Sequence, residues 1–247
     1  MDVVGRVVEL WRYPVKSLLG ERLEEVTVTA AGFDGDRRFA IRNKATGHVL
    51  SAKKFSTLLR GRAAIANGGG VTVTPPEGPA FSLAGPDSAA AFSAWLGFDV
   101  EVVGVPAAGV RPEIEGDERV FLGRAGAFFD SGPVHIVTTS TLAALTTLHP
   151  YGRFDPRRFR PNIVLSTPES GFVEESWIGK SFLVGEVELE ITKKCARCVM
   201  TTHAQEDLPV DRDILRTVNQ QNDEIVGVYG VARRDGRIWM GDEARVG

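Results

Sequence analysis

Cysteine is scarce in this chain. Two in 247 residues, Cys195 and Cys198, stand three positions apart. A bridge that short cannot staple a fold of this size, which fits a reducing compartment and an expected cytoplasmic location. Long apolar runs are missing too. No stretch approaches the roughly 18 residues that suggest a membrane span, so no membrane partner is expected. The opening Met1-Asp2-Val3-Val4-Gly5-Arg6 lacks the charged-then-apolar pattern of a secretion signal. Nor is there a basic excess. Lys and Arg total 29 against 32 Asp and Glu, a net charge of −3, which argues against general nucleic-acid binding.

What is present is an ordinary globular composition, 43% hydrophobic and 25% charged, long enough for one large or two modest cores. Short runs rich in β-branched residues, punctuated by turn residues, dominate the first half: residues 3–11, 23–29, 38–42, 71–74 and 81–83. One helix is expected over 89–96, capped by Asp87 or Ser88 and ended by Gly97, followed by a strand over 100–105. The small, polar, turn-rich stretch 106–117 is the expected boundary between domains 1–112 and 113–247. Beyond it come a strand at 134–137, a helix over 140–148 stopped by Pro150, and a strand at 159–165. A hairpin follows over 182–191 around Gly185-Glu186, then a short helix, 214–221, capped by Asp211. Closing strands lie at 226–232 and 238–240, and the even spacing of the last four suggests a small closed barrel.

The chemistry-bearing candidate is Cys195-Ala196-Arg197-Cys198, where Lys193, Lys194 and Arg197 would hold a thiol partly as thiolate. If the segment is extended, residues three apart face opposite ways, and one cysteine acts alone. A structural zinc site needs four ligands, and His48, His135, His149 and His203 have no paired spacing. A redox pair needs a strand-to-helix turn, whereas 199–202 reads as further strand. Two ordinary buried cysteines are the plain alternative.

Three basic patches accompany the cysteines. Arg160-Pro161-Asn162 puts a guanidinium and an amide on one face of the expected strand, suited to phosphate and to a ring edge, or else forms a solvated strand end after Arg157-Arg158. Tyr13-Pro14-Val15-Lys16-Ser17 lies where the first strand breaks, and Asp36-Arg37-Arg38-Phe39 enters another strand. Thr138, Thr139 and Ser140 open a helix whose amides suit an anion. His203 and Asp207 are candidate general acids, with His203 read as an exposed loop residue.

Taken in order, residues 10–17, 35–39, 158–164, 195–198 and Gly241-Asp242 resemble the MOSC-domain proteins, in particular the subgroup with an N-terminal β-barrel-like domain that includes the mitochondrial amidoxime-reducing components. The resemblance covers essentially the whole chain. It implies a mainly β fold with short helices: a MOSC β-barrel domain preceded by a strand-rich α+β N-terminal domain. It also implies a molybdenum cofactor (molybdopterin) with the metal on one thiolate, matching Cys198. Residues matching the family's pterin and phosphate ligands are Lys16, Ser17, Arg37, Arg160 and Asn162, with Thr138, Ser140, Thr201 and Thr202 as hydroxyl candidates.

The activity so implied is reduction of small N-hydroxylated or N-oxide compounds, without pyridoxal phosphate. With no cysteine after Cys198, the chain cannot supply the four thiolates that a [2Fe–2S] cluster normally needs. A separate electron-donor protein of ferredoxin, flavodoxin or cytochrome type is therefore expected. A cofactor or sulfur carrier without turnover is the alternative.

Overall fold

The computed structural model describes residues 1–66, 68–105, 127–128 and 131–247. The expected domain boundary at 112/113 lies outside them. The described residues form two compact units that interleave along the chain. One combines Met1–Trp11, Arg22–Asp34 and Ser131–Gly247; the other combines Arg12–Glu21 with Gly35–Asp130.

The first unit is a closed seven-stranded barrel. Its strands are β1 (Asp2–Arg12), β2 (Val134–Thr138), β3 (Ile163–Ser166), β4 (Ser181–Val184), β5 (Val187–Ala196), β6 (Ile225–Arg234) and β7 (Glu243–Val246). They pair in the order β3-β2-β6-β5-β4-β7-β1, and β1 returns to β3 to close the ring. Only β2 and β3 run parallel, and that pairing requires the crossover that helices Thr139–Leu148 and Pro156–Phe159 provide.

Alternation explains the core. Val134 and Ile136, Ile163 and Leu165, Phe182 and Val184, and Val187, Leu189 and Ile191 all join one buried cluster, as period-2 side chains on an inner face must. Val137, the next position on β2, packs instead with Leu145, Phe154, Phe159, Ile214 and Val218 beneath the helices. A three-strand sheet, Gly236–Trp239, Glu25–Thr29 and Gly32–Phe33, adds Ile238, Val26, Val28 and Phe33 to the barrel core.

The second unit carries the antiparallel pair Phe39–Asn43 and Val100–Gly104, the meander Arg62–Ile65, Val71–Thr74 and Phe81–Ser82, and helix Ser88–Leu96. Gly97 ends that helix in the left-handed conformation, as expected. Asp87 occupies the cap position but makes no side-chain cap bond, because its backbone (φ −92°, ψ 2°) is not the extended one that capping needs.

Candidate functional site

Strand β5 loses register twice near its end, between Ile191 and Lys193 and between Lys194 and Ala196. Such bulges re-aim side chains. Thr192, Lys193 and Lys194 are all exposed, while Cys195 is completely buried. Cys198 lies beyond the strand, half-buried and extended (φ −138°, ψ −178°), at the cap of a 3-10 turn over Val199–Thr202. The further strand expected there is therefore replaced by a turn. Its cause is local: Thr201 Oγ1 donates to Cys198 O (3.0 Å) and Thr202 Oγ1 to Val199 O (2.8 Å), closing the chain on itself.

Of the three cations expected to polarise a thiol, two are engaged elsewhere. Lys194 pairs with Glu175, and Lys193 Nζ sits 5.7 Å from the Tyr229 ring centroid. Arg197 reaches sulfur, but at Cys195: its Nη1 lies 2.6 Å from Sγ, and its Nη2 donates to Phe159 O at 2.8 Å. Burial alone would raise the Cys195 thiol. The Arg197 charge, the nearby His135 and hydrogen bonding by His135 and Tyr229 outweigh it and bring the thiol down to about 6.

The segment before β3 departs from the expected strand. Residues Pro156–Phe159 form one helical turn, started by Asp155, whose Oδ1 accepts from Arg157 N (2.9 Å), and by Pro156 in the first turn. Arg160 closes the turn in the left-handed conformation (φ 54°, ψ 49°), with its N–H on Pro156 O. Arg160 and Asn162 consequently do not share a strand face, since β3 begins only at Ile163. Arg158 is not solvated but fully buried. Its Nε donates to Arg153 O, Nη1 to Thr201 O and His203 O, and Nη2 to Pro209 O, pinning the segment that follows Cys198. Asn162 is also structural: Oδ1 accepts from His135 N (3.1 Å) and Nδ2 donates to Trp11 O (3.3 Å), tying β2 to β1.

At the opening of helix Thr139–Leu148, Thr138 is the cap. Its Oγ1 accepts from Thr141 N (3.1 Å) and donates to Glu174 Oε2 (2.7 Å), which also accepts from Thr141 Oγ1. Ser140 Oγ bonds Thr138 and Thr167 hydroxyls. Glu174 is wholly buried, and burial raises its carboxyl despite those hydroxyl donors; Oε1 has no partner among the described residues. Thr138 is thereby committed within the protein.

In the second unit, the backbone segments that carry Lys16, Ser17 and Arg37 lie side by side. Val15 bridges Phe39, Lys16 N donates to Phe39 O (2.8 Å), and Arg37 N donates to Tyr13 O (2.7 Å). Asp36 accepts from Tyr13 N (2.7 Å) and pairs with Arg37, whose guanidinium lies 4.9 Å from the Tyr13 ring centroid. Ser17 Oγ accepts from Ala52 N (3.0 Å). Ser17 (φ 68°), Arg37 (φ 49°) and Arg160 (φ 54°) are all non-glycine residues with positive φ. Each such residue costs about 1–3 kcal/mol and persists where its surroundings over-determine it, commonly at functional sites.

Neither candidate general acid stands as expected. Hydrogen bonds from Arg153 and Arg157 hold exposed Asp207 at about 2, ionised at neutral pH. His203 is half-buried rather than exposed, with Nε2 enclosed and without a partner among the described residues.

A seven-stranded barrel with one parallel crossover, carrying one polarised thiol (Cys195) on its bulged strand and a second thiol (Cys198) just beyond it, sets the class. This chain belongs to the MOSC-domain proteins: residues 123–245 match the MOSC domain and residues 4–106 the MOSC N-terminal beta barrel domain. Among curated relatives, mitochondrial amidoxime reducing component 2 of Rattus norvegicus is 26% identical over 289 residues, covering 98% of this chain and 83% of its own. The Homo sapiens component 2 is 25% identical over 246 residues (86% and 70%). Homo sapiens component 1 is 26% identical over 232 (82% and 67%). The YUAD protein from Bacillus subtilis superposes with a TM-score of 0.53 over 98% of this chain and 95% of its own; at 12% identity that likeness shows the fold alone.

Proposed function

We propose that this chain is a molybdenum-cofactor-dependent oxidoreductase that reduces N-hydroxylated or N-oxide compounds, with Cys198 as the one protein thiolate on the metal. The observation that carries the reading is the contrast between the two sulfurs. Cys195 is sealed and paired with Arg197, whereas Cys198 is half-buried and its sulfur makes no hydrogen bond among the described residues. A soft sulfur so placed suits a thiophilic metal. The relatives are named amidoxime reducing components, which supports the substrate class.

The residues fit the cofactor in part. Arg160 in its left-handed cap supplies a cation for a pterin phosphate, and the first-turn amides of Thr139 and Ser140 have no acceptor within their helix, which suits an anion. Lys16, Ser17 and Arg37, in the second unit, are assigned to anion binding on the family resemblance alone, and there Ser17 Oγ already accepts from Ala52 N and Arg37 pairs with Asp36. The side chains of Thr138 and Asn162 do not fit a ligand role, because both are spent on protein partners. Thr201 and Thr202 donate to local carbonyls and retain only acceptor capacity.

When bound, the cofactor supplies two-electron removal of oxygen from an N–O group. The chain holds it through Cys198, and Asp207, held ionised by two arginines, stores no proton at neutral pH. Electrons come from a separate donor protein of ferredoxin, flavodoxin or cytochrome type.

Metal analysis of protein from a cofactor-competent host, beside Cys198→Ser, tests the reading. Near-stoichiometric molybdenum in the wild type, lost in the variant together with reduction of an amidoxime by an artificial electron donor, is expected. Molybdenum in neither protein would overturn it. A persulfide on Cys198 in cofactor-free protein would instead favour a sulfur carrier.

A further inference from the structure

Cys195 is the nucleophilic group that the proposed function leaves unused. Its sulfur is fully buried, so it cannot attack a substrate or reach a metal from solvent. Its surroundings are nevertheless unlike those of an ordinary core cysteine. Arg197 Nη1 contacts the sulfur at 2.6 Å, Nη2 holds Phe159 O at 2.8 Å, and the guanidinium carbon lies 5.9 Å from the Phe159 ring centroid. The Arg197 backbone is fixed as well, its N–H on Glu224 O at 2.7 Å.

We propose that Cys195 is a positioning residue: its sulfur clamps the Arg197 guanidinium and thereby fixes the peptide that presents Cys198. The clamp also joins two motifs. Phe159 is the last residue of the turn that Arg160 caps, so one guanidinium sets both Arg160 and Cys198 relative to the barrel wall.

The charge argument runs through the same contacts. A guanidinium withdrawn from water is costly unless an anion or a full set of acceptors meets it. Arg197 has one carbonyl, and its Nε is without a partner among the described residues. The largest remaining compensation comes from the Cys195 sulfur as thiolate, in line with its lowered ionisation range, with Tyr229 and Cys198 adding to it. Other groups face that sulfur from the neighbouring strands. His135 on β2 has Nε2 3.0 Å from Val226 O, the Tyr229 ring on β6 lies tilted against His135 with centroids 5.4 Å apart, and Lys193 lies over the Tyr229 ring. Of these, Tyr229 shares in holding the Arg197 charge, but behind Cys195, so the clamp stands first on Cys195.

The proposal rests on Cys198 being the working thiol, but its first test does not. Cys198→Ala leaves Cys195 as the sole cysteine. In that cofactor-free protein, ultraviolet thiolate absorbance is expected at neutral pH, together with resistance to iodoacetamide until the protein is unfolded. Adding Arg197→Met should remove the absorbance. Absorbance missing at neutral pH, or unchanged by Arg197→Met, would overturn the proposal whatever the metal content of the wild type.

The second test reads position. In cofactor-free protein otherwise wild type, Cys195→Ala is expected to change the rate of Cys198 alkylation about tenfold, the effect of a shift of one power of ten in the balance of loop conformations. Cys195→Asp, which restores an anion, should recover much of the wild-type rate, while Cys195→Ser should not. An unchanged Cys198 rate in Cys195→Ala, despite a lowered melting temperature, would reduce Cys195 to a packing residue.

Discussion

Arg158 shows what a buried charge needs. It is fully withdrawn from water, yet its donors meet four backbone carbonyls, on Arg153, Thr201, His203 and Pro209. Burial lowers its ionisation range, with Asp211 and Asp155 opposing, and arginine still stays charged at neutral pH. Arg158→Met keeps much of the bulk and orphans those acceptors, at a cost of about 3–5 kcal/mol. Urea denaturation reads it directly, and a loss below about 1 kcal/mol would show that water replaces the guanidinium. Glu174 is the opposite case. Burial raises its carboxyl above the ordinary 4.5, so its contribution is fully present below that value and is lost as pH rises through the folded one. Glu174→Gln should therefore melt higher relative to wild type at pH 8 than at pH 4. A pH-independent difference would count against a carboxyl raised by burial.

At the level of elements, the bulged end of β5 and the glycine on the neighbouring strand β6 decide how the site is presented. Gly227 has φ +83°, and a Cβ there would run into Ile136 O and, at 2.5 Å, into His135 Nε2. Gly227→Ala therefore combines backbone strain with a clash on the residue packed beside Cys195, for a cost of about 2 kcal/mol or more. Thermal melting checks the cost, and an unchanged melting temperature would mean that His135 moves aside freely. The period-2 run at Val187–Ile191 was legible because alternation is a property of neighbours, whereas β1 buries Val7 and Leu10, three apart, across a bulge. What defeated local reading were features set by distant partners or by single hydrogen bonds. The Val199–Thr202 turn depends on two threonine hydroxyls choosing carbonyls three residues back. The turn before Arg160 depends on one aspartate cap. The Arg158 staple depends on carbonyls up to 51 positions away. Strand β7, Glu243–Val246, offers only Ala244 and Val246 as buried apolar residues, too few to mark a strand.

On the whole-molecule scale, the least legible property is the interleaving of the units. Nothing in the run Val3–Trp11 states that it closes a ring more than a hundred residues away. In the structure β1 is antiparallel to both β3 and β7, pairing Val7 with Leu165 and Asp2 with Val246. The strand Glu25–Thr29 meanwhile sends Val26 and Val28 into the same core. Residues 131–247 alone would then leave β3 and β7 as bare edges and the barrel core open on one side. Unpaired edges with exposed apolar faces aggregate. Expression of residues 131–247 by themselves should give insoluble or oligomeric material with weak tertiary signals in near-ultraviolet circular dichroism. Supplying residues 1–34 in trans or by fusion should restore the fold by returning β1 and its companion strand. If residues 131–247 are monomeric and cooperatively folded on their own, the barrel does not depend on β1, and the contribution of the first strand is confined to covering an already stable sheet.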